Sequence, residues 1–92
     1  MKYDPNAYLS KRRNIDRGLE RRSKILSEVG LTAKEIAEKS GLSYSSVLYH
    51  LKLLEEEKIV RREGKRPFKW RLTGLGQQKL WKYFNEDKGV SR

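Results

Sequence analysis

The chain predicts a mostly α fold with one small β-hairpin. Three observations carry this. Apolar residues recur at helical spacing through residues 5–57, and the period then switches to alternation around Gly64-Lys65-Arg66-Pro67. Helix-start and helix-stop residues also punctuate the boundaries. The 92 residues amount to a single domain, 1–92, with an N-terminal helical extension (about 5–29) and a C-terminal helix (about 74–87).

Asp4 suits a cap and Pro5 a first helical position, so a long helix is expected to open there. Tyr8, Ile15, Leu19, Leu26 and Val29 fall on one stripe, with Ile25 at its edge, and Gly30 ends the segment. Gly18 in the interior leaves open a kink or two shorter helices. Lys11, Arg12, Arg13, Arg17, Arg21, Arg22 and Lys24 decorate this segment, either as a solvated face or as contacts to a nucleic-acid backbone.

Thr32 and Glu35 form a capping box ahead of a short helix whose buried side is Ile36 and Ala37, and Gly41 permits the left-handed turn that ends it. Ser43 caps a longer helix running to about Glu57. On a wheel of about 100° per residue, Leu51 and Leu54 join Val47 on one face, while Ser45, Tyr49 and Lys52 point away. A short helix, a turn and a longer helix make a helix-turn-helix. Leu48, at its flank, is read as packing rather than meeting a base methyl. His50 is read as a core-edge hydrogen-bonding group, and Glu55-Glu56-Glu57 as a solvated helix end.

Residues 59–63 and 67–72 read as strands, with Phe68, Trp70 and Leu72 alternating against Lys69 and Arg71. Phe68 and Trp70 are assigned to the core. Thr73 caps the last helix, in which Leu80, Trp81 and Phe84 share a face.

Charge points to the partner. There are 22 Lys+Arg against 12 Asp+Glu, a net charge of +10, which calls for a polyanion: nucleic acid or an anionic membrane surface. Residues 1–30 carry +4, residues 31–60 carry −1 and residues 61–92 carry +7, so the cations flank a nearly neutral helix-turn-helix. Residues 61–71 alone hold six cations against Glu63. Edge protection of a hairpin needs fewer, so this hairpin is expected to touch phosphate or the minor groove. Residues 11–24 lack the strong apolar face of a membrane-surface helix. With no cysteine there is no disulfide framework or thiolate metal site, and no metal or other cofactor is expected. The sequence contains no P-loop, nucleophile elbow or suitably paired carboxylates, so the reading is not an enzyme. No apolar run spans a membrane and the N-terminus lacks a secretory stretch; a cytoplasmic protein, on the nucleoid when bound to DNA, is expected.

Helix, short helix, turn, helix, hairpin, helix is the order of a winged helix-turn-helix. Thr32-Ala33-Lys34-Glu35-Ile36-Ala37-Glu38, Gly41-Leu42-Ser43, Val47, His50-Leu51 and Leu54 through Arg62 resemble the core of ArsR- and MarR-like transcriptional regulators. Arg71-Leu72-Thr73-Gly74-Leu75-Gly76 resembles the stretch that follows their wing. The likeness spans about residues 26–80. It implies a DNA-binding module; with no cysteine, thiolate metal sensing is excluded, His50 stands alone, and no small-molecule effector is evident.

The implied contacts are concrete. Tyr44, Ser45, Ser46, Tyr49 and Lys52 would face base edges in the major groove of double-stranded DNA. Ser43 and Thr32 would offer helix-start phosphate sites. Arg62, Lys65, Arg66, Lys69 and Arg71 would supply the wing's contacts to the backbone or minor groove, with Lys65 and Arg66 at its tip. A homodimer would set two recognition helices one helical turn apart. Tyr8, Leu9, Trp81, Tyr83 and Phe84 either form its surface or close the core. The leading expectation is therefore a sequence-preferring transcriptional regulator. The alternatives are an architectural DNA-coating protein and a winged-helix protein–protein adaptor.

Overall fold

Asp4 and Pro5 do start a helical turn, but a short one. The computed structural model describes residues 3–74, so the last expected helix (about 74–87), with Trp81, Tyr83 and Phe84, lies outside the described residues. The Asp4 carboxylate accepts the Asn6 amide at 2.8 Å, and Pro5 opens a 3₁₀ turn, Pro5–Ala7. The long helix expected over residues 5–29 is corrected: α1 spans Asp16–Leu26. Asn14 is the cause. Its side chain accepts the Leu9 amide at 2.8 Å and donates to the Leu9 carbonyl at 2.9 Å, giving that backbone an alternative to the helix.

The stripe is corrected at one position. Ile15 enters α1 in an extended conformation and is 57% exposed, whereas Leu19, Ile25 and Leu26 are buried. Tyr8 and Val29 pack half-buried against the core. Leu9 is buried at 4% exposure, so of its two expected roles it takes the core.

Gly30 does more than end a helix. Its φ of +98° lets the chain turn beside β2 (Lys69–Leu72). There the Gly30 amide donates to the Trp70 carbonyl at 2.6 Å, and the Trp70 amide donates to the Leu31 carbonyl at 3.0 Å. Thr32 and Lys69 form an isolated bridge, so residues 30–32 flank β2 on the edge away from β1 (Val60–Glu63). β1 and β2 are antiparallel, with Val60 opposite Leu72 and Glu63 opposite Lys69. These paired segments sit inside the expected strands.

Between them lie α2 (Ala33–Ser40) and α3 (Tyr44–Glu56). Gly41 ends α2 with φ 76°, as its position implies. α3 ends in a Schellman motif: the Ile59 amide returns to the Leu54 carbonyl and the Lys58 amide to the Glu55 carbonyl, both at 2.9 Å. Lys58, not glycine, occupies the left-handed position, at φ 62°.

The core lies where α1, α2 and α3 meet. Ile25, Ile36, Val47, Leu51 and Leu54 are sealed, and Ile59, Val60 and Trp70 close the hairpin onto them. Trp70 takes the core position expected of it, but Phe68 is corrected: it is only half-buried and stands outside the core cluster, beside the Arg62 guanidinium. Three helices and a two-stranded hairpin in this order form a winged helix-turn-helix.

Candidate nucleic-acid interface

The sealed face of α3 determines what its other face presents. Since Val47, Leu51 and Leu54 point into the core, the side chains about half a turn away must point out. Tyr44 is 53% and Tyr49 57% exposed, and Ser45 and Lys52 are exposed beside them. Ser46 is half-exposed at the edge of this ridge, and Leu48 packs half-buried against the core.

Two helix starts support the ridge. The Thr32 amide and hydroxyl both donate to the Glu35 carboxylate, at 3.0 and 3.2 Å, and the Glu35 amide returns to the Thr32 hydroxyl at 3.2 Å. The Thr32 amide and then its hydroxyl hold Glu35 below the usual carboxylate range. At α3, Ser43 accepts the Ser46 amide at 3.2 Å, with its oxygen 3.4 Å from that of Ser45. Both cap oxygens are thus engaged in holding the helix starts that the expected phosphate contacts require.

The wing's cations divide into two sets. Arg62 grips Glu55 with two bonds, at 2.9 and 3.2 Å, and its guanidinium lies 5.5 Å from the ring centres of Phe68 and Trp70. Glu63 takes Arg71 in a short hydrogen bond and Arg61 at 3.2 Å. The hydrogen bond from Arg71, reinforced by the charges of Arg71 and Arg61, holds Glu63 below the usual carboxylate range. Among the described residues no carboxylate pairs with Lys65, Arg66 or Lys69, and all three are exposed. Arg62 and Arg71 therefore brace the hairpin, while the tip carries unmatched charge and Lys69, without an ion pair, lies in the field of Glu35.

A groove of about 340 Å³ runs between the wing and α3. It brings together five of the expected contacts: Thr32, Tyr44, Lys52, Arg62 and Arg66. Lys34, on the first turn of α2, also lines it and was missed; its signal was an exposed cation two residues after a helix cap.

The acidic end of α3 stays in contact with solvent as expected, Glu56 exposed and Glu55 and Glu57 half-exposed, and each carboxylate also has a partner. Glu55 holds the wing through Arg62, and Glu56 meets Arg12 at 3.4 Å. Glu57 accepts the Ser10 amide at 2.7 Å, the Ser10 hydroxyl at 3.0 Å and the Lys11 amide at 2.9 Å. Consecutive helical positions diverge by about 100°, which is why neighbouring residues reach different parts of the chain.

Arg22, grouped by sequence with the surface cations, is also corrected: it is buried at 3% exposure. Its Nε donates to the Ala7 carbonyl at 2.7 Å and one Nη to Asn14 at 3.2 Å, while the other lies 3.4 Å from His50 Nδ1. Burial, then the positive charges of Arg22 and Arg21, lower the His50 pKa to about 4. The ring is therefore neutral at pH 7 and can accept from the guanidinium. His50 has the core-edge role expected of it.

Among the described residues no group of three or more His, Asp or Glu could hold a metal ion, and no helix is long and apolar enough to cross a membrane. Residues 23–61 match a family model described as winged helix-turn-helix DNA-binding. No curated protein and no solved structure matches the chain. The matched segment covers the end of α1, all of α2 and α3 and the start of β1, and it supports a DNA-binding role.

Proposed function

We propose that this chain is a sequence-preferring double-stranded DNA-binding protein that regulates transcription, of the kind the ArsR- and MarR-like regulators represent. One observation carries the reading: among the described residues, the face of α3 left outside the core, bearing Tyr44, Ser45, Tyr49 and Lys52, stands beside a wing tip whose Lys65 and Arg66 have no carboxylate partner. A helix of this width enters the major groove, where Ser45 and Tyr49 meet base edges and Lys52 meets guanine or phosphate. Lys65 and Arg66 then lie on the backbone or in the minor groove.

The protein acts in the cytoplasm as a homodimer, with half-sites about 34 Å apart. Trp81, Tyr83 and Phe84 are assigned to the dimer surface on sequence alone. It works as a binding protein, without a cofactor.

Selection of bound duplexes from a random pool tests the reading. The selected sequence is expected to bind at least ~10³ tighter than unrelated DNA at the same salt. Near-equal affinities would assign the protein to architectural coating instead.

A further inference from the structure

On the side of α3 away from the wing lies a second groove, of about 470 Å³. One wall carries Arg12, Arg13, Arg17, Arg21 and Arg22, and among the described residues no carboxylate lines the groove. The opposite wall is the recognition ridge itself, with Ser45, Ser46 and Tyr49.

Arg12 is partly neutralised by Glu56, but Arg13, Arg17 and Arg21 have no ion pair among the described residues. Arg22 gives the more demanding signal. It is a buried cation whose three hydrogen-bonding neighbours, the Ala7 carbonyl, the Asn14 amide and neutral His50, carry no charge. Glu57 reaches it through its field, while both Glu57 oxygens accept amides of Ser10 and Lys11. A desolvated guanidinium held in this way loses hydration without the attraction of a contacting anion. The backbone makes room for it: a Cβ at Gly18 would come within 3.0 Å of the Arg22 Nη1.

We propose that this arginine groove binds backbone phosphates of the DNA strand opposite the one held by the wing, so that α3 lies in a major groove gripped on both banks. The proposal rests on the DNA-binding reading. B-DNA's major groove is about 12 Å wide and bounded by a phosphate backbone on each side. The two protein grooves flank α3 in the same way, with Tyr44, Leu48 and Lys52 on the wing bank and Ser45, Ser46 and Tyr49 on the arginine bank. Arg13 and Arg17, both exposed, are the direct contacts. Arg22 adds positive potential from beneath.

Phosphate-ethylation interference on the selected duplex, with a salt titration of binding, tests this on the full chain. Wild type is expected to show two clusters of sensitive phosphates, one on each strand. The R13A/R17A double variant loses one cluster, weakens binding to every duplex by a similar factor and lowers the log–log salt slope by about two. K65A/R66A loses the other cluster. K24A/K39A removes the same charge elsewhere and keeps both. Retention of both clusters and the full slope in R13A/R17A overturns the second bank while leaving DNA binding intact. The same holds if inorganic phosphate raises the melting temperature of wild type but not of R13A/R17A while duplex binding is equal, since the groove would then serve a free anion. Absence of salt-dependent duplex binding in wild type overturns the DNA reading itself and this proposal with it.

Discussion

Arg22 and His50 are both buried, 3.4 Å apart, and the Arg22 charge bears on the His50 ring. His50 has an ordinary pKa of 6.5 in the unfolded chain and about 4 in the fold. A depressed histidine pKa means that only the unfolded state takes up the proton between those values, so stability falls as pH drops from 6.5 to 4 and is unaffected above. At about 1.4 kcal/mol per pH unit the loss reaches roughly 3 kcal/mol. Urea denaturation at several pH values should show this decline in wild type. The His50→Gln variant, which keeps an acceptor for Arg22 but does not titrate, should lack it. An equally steep decline in the variant would assign the proton uptake to other groups.

At the scale of elements, the junctions of α3 carry the consequences. Lys58 holds the left-handed position of the Schellman motif, where an L side chain meets a carbonyl that glycine avoids. Lys58→Gly should therefore stabilise the fold by roughly 0.5–1 kcal/mol, the relief being partly offset by glycine's freedom when unfolded. Chemical denaturation checks this, and a destabilised variant would mean that the Lys58 side chain contributes more than its backbone costs. One residue earlier, Glu57 ties down residues 10 and 11. Glu57→Ala should cost about 1 kcal/mol, because water replaces an exposed carboxylate as acceptor. Hydrogen exchange should rise at the Ser10 and Lys11 amides while α2 stays protected. Unchanged exchange at those amides would show that Asn14 alone holds the segment.

For the whole molecule the decisive quantity is how charge is distributed around one helix. Lys65 and Arg66 belong to the wing tip and not to the base-facing ridge, so changing both to Ala should weaken preferred and scrambled duplexes alike. It should also lower the salt slope by roughly one for each phosphate that the wing no longer neutralises. Tyr49→Ala should do the reverse, altering preference with little change in slope, and it should stay folded because Tyr49 is 57% exposed. A salt titration of wild type and both variants on the two duplexes separates these effects. Full affinity and slope in the wing variant would remove the hairpin from the interface and favour a protein partner for its cations.

Local chemistry made the helix-turn-helix legible in the sequence. The Thr32–Glu35 box, Gly41, Ser43 and the spacing of Val47, Leu51 and Leu54 each act over a few residues, so they specify α2, α3 and the outward ridge without reference to the rest of the chain. The net charge of +10 pointed to a polyanion by the same logic, since charge is counted before folding. What tertiary structure decided were the partners. The four-residue spacing of Arg13, Arg17 and Arg21 was visible, but whether each faced water, a carboxylate or a groove was not. Arg22 turned inward to a carbonyl 15 residues away and a histidine 28 residues away, and Glu57 captured Ser10 across 47 residues. Such contacts form only when packing brings distant segments together, and nothing in the periodicity of either segment encodes the other's position.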